Sequence, residues 1–157
     1  YLFDWVDDKR REESVRCNQI LAVSLPASVM DPERGRSIVE TCWNELYTTF
    51  GLRTLDPHHE KYKGRCEGRI DQREKARFMG MAWPWLLGQF ITAYLRYNPD
   101  RKDIGWCFLR PFLSHLGKGC LGGVAEIFDG SMPYKPPGDA LYSPGVLELL
   151  RVIGGGM

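Results

Sequence analysis

The chain has 157 residues and a net charge of +1, from 21 Lys and Arg against 20 Asp and Glu. That length is one domain or part of one, and so even a balance excludes a protein that holds nucleic acid by charge alone. Aromatic residues are 12% of the chain, with five Trp, which suits a carbohydrate site where sugars stack on rings and suits an ordinary core equally. The cysteines Cys17, Cys42, Cys66, Cys107 and Cys120 are odd in number, widely spaced and free of any CxxC pair. They point to a reducing, cytoplasmic setting rather than a disulfide framework. No opening segment reads as a signal peptide and no apolar run is long enough to span a bilayer, so no membrane role is expected. The opening Tyr-Leu-Phe, without Met, reads as the start of a fragment.

Residues 1–6 read as a short strand, followed by a charged turn over 7–13. Arg16 to Gln19 leads into an apolar run, 20–25, that reads as a short buried helix stopped by Pro26. Asp31-Pro32-Glu33 is a helix start: a capping carboxylate, a proline in the first turn and an acid beside it. Ile38, Val39, Cys42, Trp43, Leu46 and Phe50 follow at helical spacing, and Gly51 stands where a glycine cap belongs. The spacing therefore predicts a helix over 32–50. Residues 52–78 read as a long polar loop. Trp83-Pro84-Trp85 predicts an extended residue and then a helix over about 85–97 that is apolar nearly all round and buried on several sides. Residues 98–105 read as a polar linker. Phe108 to Leu116 reads as a further helix, stopped by Gly117 and Gly119. Ser143-Pro144 starts the last helix, and Gly154–Gly156 reads as its frayed end. Trp43, Leu46, Phe90, Ile91 and Leu113 are the expected core. The whole reads as all-α, about five helical segments with minor short hairpins.

Gly122 to Gly130 holds two carboxylates, Glu126 and Asp129, among Val124, Ala125, Ile127 and Phe128. A carboxylate fixed in an apolar, glycine-bracketed loop suits a general base. The same residues also suit a turn in which Glu126 pairs with an arginine. Arg16 and Asn18 suit either a polar site or a helix cap. Arg53 suits either sugar hydroxyls or a salt bridge, and Trp83 either a sugar platform or packing. His58-His59-Glu60 near Cys66 fits no common zinc spacing, and no metal or cofactor is expected.

Five pieces in series carry a resemblance: Arg16-Cys17-Asn18-Gln19-Ile20, the run from Tyr47 to Leu55, Tyr62-Lys63-Gly64-Arg65, Trp83 to Gly88, and Ala125-Glu126-Ile127-Phe128-Asp129-Gly130. In order and spacing the chain resembles the C-terminal catalytic domain of glycogen debranching enzymes, the amylo-α-1,6-glucosidase group. The resemblance implies the C-terminal portion of an (α/α)6 toroid and an inverting glycosidase that cleaves α-1,6 branch linkages of glycogen-like glucans. It implies Glu126 as the base that activates water. Arg16, Asn18, Arg53, Tyr62, Trp83, Trp85 and Asp129 then fall on the substrate side. The implied partners are an α-glucan or oligosaccharide and the missing N-terminal half of the same polypeptide. A half-toroid with open apolar faces is expected to self-associate. Two departures stand against this. The family's general acid lies in a Trp-Met-Asp-like motif absent from these residues. The family's Tyr-His-Gln-Gly is here Arg77-Phe78-Met79-Gly80. Both departures suit an alternative, a non-catalytic carbohydrate-binding or regulatory domain that retains the barrel.

Overall fold

The computed structural model describes residues 1–28 and 30–155. Among them lie six α-helices and one three-stranded antiparallel sheet. The mostly helical class with minor hairpins expected from the pattern is the class observed. The frayed end expected at Gly156 lies outside the described residues. Among the described residues, no helix is long and apolar enough to cross a membrane.

The first element is a 3-10 turn, Cys17–Ile20, continued by α1 (Leu21–Ser24). Its last carbonyls have no partner within so short a helix. Arg96 supplies one, donating to Ser24 O at 3.0 Å and Leu25 O at 2.9 Å. Residues 1–6 are not a strand. Val6 makes one isolated bridge to Arg11, and Leu2 N–H is taken by the Gln19 side chain at 3.1 Å.

α2 (Pro32–Thr41) starts as its sequence demands, with the Asp31 carboxylate accepting Arg34 N–H at 2.9 Å and proline in the first turn. It loosens into a π-helical turn, Cys42–Leu46, and stops there rather than at residue 50. Tyr47–Thr48 becomes strand β1 and folds back on β2 (Gly51–Arg53), with Tyr47 opposite Leu52. Gly51 is therefore a strand residue, not a helix cap. The cause is tertiary: the Phe50 ring stacks on Phe128 at 4.4 Å and meets Phe112 edge-on at 5.4 Å. A continued helix would carry Phe50 away from both.

Residues 52–78 are less irregular than expected. They contain the rest of β2 and α3 (Ile70–Phe78), which begins with Arg69 N–H held by the Gln72 side chain at 2.9 Å. Only Ala76 of that helix is buried, so it has no apolar stripe for periodicity to detect. Next come β3 (Ala82–Trp83) and α4 (Trp85–Tyr97), as the Trp-Pro-Trp segment predicted. α4 buries Leu86, Leu87, Phe90, Ile91 and Ala93 and forms the spine of the core. α5 (Lys102–His115) starts inside the expected linker, and α6 (Ser143–Gly154) packs along α4.

Leu46, Phe90 and Ile91 are fully buried, as expected. Trp43 and Leu113 are not, at 39% and 73% exposed. α5 turns Phe108, Leu109, Phe112 and His115 inward, so Leu113, one position past Phe112, falls outside. Trp43 follows the buried Cys42 in the π-turn and stacks on Tyr47 at 5.1 Å near the surface. Phe90→Ala should therefore cost about 3–5 kcal/mol, whereas Leu113→Ala should stay within about 0.5 kcal/mol of the parent. Urea unfolding of the two variants checks the contrast.

Candidate active site

The sheet order is β1-β2-β3, with Leu52 opposite Trp83 and Arg53 opposite Ala82. A fourth segment joins its edge. Ala82 N–H donates to Phe128 O at 2.9 Å, and Phe128 N–H donates back to Ala82 O at 2.9 Å. On its other side the 124–129 segment is held by a returning loop. Glu126 N–H donates to Asp139 O at 2.9 Å, Asp129 N–H to Lys135 O at 2.8 Å, and Tyr142 N–H to Val124 O at 2.8 Å. Three runs far apart in sequence thus lie side by side: 51–53, 82–83 and 124–129.

The approach is close enough to exclude side chains at its tightest point. A Cβ on Gly130 would sit 1.9 Å from Gly80 O, and Gly80 itself has φ +145°, where only glycine is at ease. The segment turns its side chains to two sides. Ile127 packs with Ala76 and Met81, and Phe128 with Ala82 and Ala125 against Phe50.

Glu126 has little open surface, 12% of its side chain, and faces α3. Its carboxylate accepts a hydrogen bond from Arg77 Nη2 in a charge-assisted pair. Burial lowers the Arg77 pKa, but the Glu126 hydrogen bond and charge outweigh it, and the net shift is upward. The same guanidinium lies over the Trp83 ring, 5.6 Å from its centroid. Trp83 Nε1–H donates to Arg77 O at 3.0 Å, and Phe78 and Tyr142 meet the indole at 6.3 and 6.1 Å. Glu126, Arg77 and Trp83 form one cluster: a paired carboxylate beside an aromatic ring.

The other sequence-derived candidates divide. Arg53, Tyr62 and Asp129 gather around Gly130 and Ser131. Arg53 donates to Gly130 O at 2.7 Å, Tyr47 O at 3.1 Å and Glu45 O at 3.3 Å. The Tyr62 hydroxyl meets Ser131 Oγ at 3.2 Å. Asp129 is buried and accepts Cys66 N–H at 3.1 Å. Burial pushes its carboxyl pKa up, against the pull of that N–H. Arg16 donates to Phe78 O at 2.7 Å, behind the cluster. Asn18 and Trp85 stand apart. Asn18 is exposed and bonded to Asp4 at 3.1 Å, and Trp85 packs on the main core. The hydrogen bonds of Arg16 and Arg53 go mainly to backbone carbonyls.

Two residues of the site escaped the sequence reading. Arg77 stood in a run noticed only for what it lacked. His115 stood in an apolar helix, three residues past Phe112, where a buried imidazole looks like one more core residue. Its Nε2 accepts Ala125 N–H at 3.1 Å, next to Glu126, while its ring packs on Phe50, Phe112 and Phe128. Elsewhere, Glu45, Asp56 and His58 come within 4.8 Å of one another at the surface. Their geometry is a loose ion pair of 3.9 Å between His58 and Glu45, beside a turn in which Asp56 accepts His58 N–H.

A family model described as Amylo-alpha-1,6-glucosidase matches residues 1–151 of the chain. No curated protein matches it.

The His115 contact sets a pH dependence. Burial, aided by Lys118, holds its pKa below the ordinary histidine value. The unfolded chain then binds the proton more readily than the folded one, so protonation favours unfolding. The stability tied to neutral His115 is complete above about pH 6.5 and is lost as the pH falls from there through the folded-state value. His115→Gln keeps a hydrogen-bond acceptor but cannot titrate. Between pH 7 and pH 5 the parent's urea midpoint should fall relative to that of His115→Gln. Parallel midpoints for the two proteins would show that His115 does not govern acid stability.

Proposed function

The chain belongs to the amylo-alpha-1,6-glucosidase family, and from that premise we propose that it carries the general base of an inverting glycosidase acting on α-1,6 branch linkages of glycogen-like glucans. Glu126 is the base. Its carboxylate takes a proton from water as the water oxygen attacks the anomeric carbon. A carboxylic acid protonates the departing glycosidic oxygen, and because water enters on the face opposite to that departure, the centre inverts. Such enzymes hold the two carboxyl groups roughly 6.5–9.5 Å apart. The acid is supplied by a part of the polypeptide outside these residues. Trp83 offers an aromatic face to the sugar. Arg53, Tyr62 and Asp129 shape the loop beneath it, and Arg16 braces α3 from behind. Asn18 and Trp85 keep at most an indirect role.

One observation carries this reading: residues 51–53, Trp83 and 125–129, each within a resembling motif, are drawn together by the small sheet and the Ala82–Phe128 bridge, with Glu126 beside them. On the same reading residues 1–157 are the C-terminal portion of an (α/α)6 toroid. An apolar groove of ≈ 460 Å³ between α5 and α6, edged by Trp106, Leu113, Leu150 and Ile153, is the kind of face an adjoining hairpin would cover. Five free cysteines suit a cytoplasmic setting.

A second reading, a carbohydrate-binding domain without turnover, is favoured by Arg77. Its guanidinium occupies the Glu126 carboxylate, and Phe78 and Met79 replace the polar pair of the family pattern. The two readings separate in the polypeptide that carries this chain together with its acid. Under the first, Glu126→Gln lowers the debranching rate by about 10²–10⁴-fold and leaves glucan affinity in place. Turnover at the parental rate would remove Glu126 from the chemistry and favour the second reading.

A further inference from the structure

A cleft of ≈ 400 Å³ opens between α2, the C-terminal end of α4 and the start of α5. It shares no residue with the Glu126 loop. Its floor is aromatic. Trp43 keeps 39% of its surface open there, backed by Tyr47 in a parallel stack at 5.1 Å and by Phe90 at 6.0 Å. Tyr94 extends the floor, tilted 31° to the indole at 5.6 Å.

The edges of the cleft are polar and unspent. Arg36 and Glu40 stand one turn apart on α2, and Asn44 follows in the π-helical turn. The edge runs roughly 10 Å, long enough for a short oligosaccharide. None of the three has a side-chain hydrogen bond or ion pair among the described residues. On the opposite edge Asn98 uses its amide N–H on Tyr94 O at 2.9 Å, which leaves its carbonyl free. Arg101 makes only a loose exposed pair with Asp103 at 3.8 Å, of a kind worth little.

The chemistry selects the ligand class. An aromatic floor takes the C–H face of a pyranose. Rows of arginine, carboxylate and amide groups take its vicinal hydroxyls, because each offers two donors or acceptors side by side. Two arginines against one glutamate leave the cleft a single net positive charge, too little to select an anion over a neutral sugar. We propose that this cleft is a second carbohydrate-binding site, a noncatalytic subsite that holds a neutral oligosaccharide across Trp43. Its choice of an α-linked glucan rests on the function proposed above, whereas its choice of a sugar rests on the cleft.

The test is NMR titration of the polypeptide that carries this chain with maltohexaose, and separately with cellohexaose, following the Trp43 indole N–H and the Asn44 and Asn98 side-chain amides. Maltohexaose should shift all three. Trp43→Ala should weaken the binding seen at the two amides by at least about tenfold, the size of one lost anchor. Asn44→Ala and Arg36→Ala lie on an exposed helical row and keep the fold, so they test the site if the tryptophan variant does not fold; each should also weaken it. Glu126→Gln should leave these shifts unchanged. Binding of cellohexaose alone at the same signals would keep the sugar site and count against the α-glucan reading of the protein. No shift with either sugar, or shifts untouched by the Asn44 and Arg36 variants, overturns the proposal.

Discussion

The reciprocal pair of backbone hydrogen bonds between Ala82 and Phe128 is the constraint on which the site depends. It fixes the register of the 124–129 segment against the sheet, and register decides which way every side chain points. With Phe128 in place, its ring reaches Phe50 and His115, Ile127 reaches α3, and Glu126 meets Arg77. A slip of one residue would put Ile127 where Glu126 now pairs and carry the carboxylate into the place of Ala125, beside Phe50 and His115. The glycines at 80 and 130 serve the same constraint, because the two backbones approach too closely there for any side chain.

Much of the helical frame was legible in the sequence, because its signals are local. Asp31-Pro32 and Ser143-Pro144 mark helix starts by their own chemistry, and the apolar run after Trp83 could only be a buried helix. What failed depended on distant partners. Phe50 keeps helical spacing with Leu46, yet the stack on Phe128, 78 positions away, draws it into a hairpin. α3 is a helix held by its cap and by one buried alanine, with no apolar stripe to announce it. For the site, Glu126 and Trp83 were readable as a carboxylate and a ring in suggestive settings. That Arg77 joins them was not readable, since the pairing exists only once α3 has formed and packed against Ile127.

The arginines explain the rest of the divergence. Arg16 and Arg53 were read as groups for sugar hydroxyls, and Arg96 and Arg151 drew no notice. In the fold all four donate to main-chain carbonyls: Phe78, Gly130 with Tyr47, Ser24 with Leu25, and Gly88. Phe78, Ser24 and Leu25 lie at helix ends and Gly130 in a loop, where no helix or ladder satisfies the carbonyl, and buried carbonyls need donors. Arginine carries five, set in a plane, and so spans several strands of irregular backbone at once.

A carbonyl is present at every position, whatever side chain that position bears. A scaffold fastened from arginine to carbonyl is therefore indifferent to the letters it holds in place. The carbonyl that Arg16 grips at Phe78 would be there with any other residue at that position, whereas the Arg77 side chain that holds Glu126 would not.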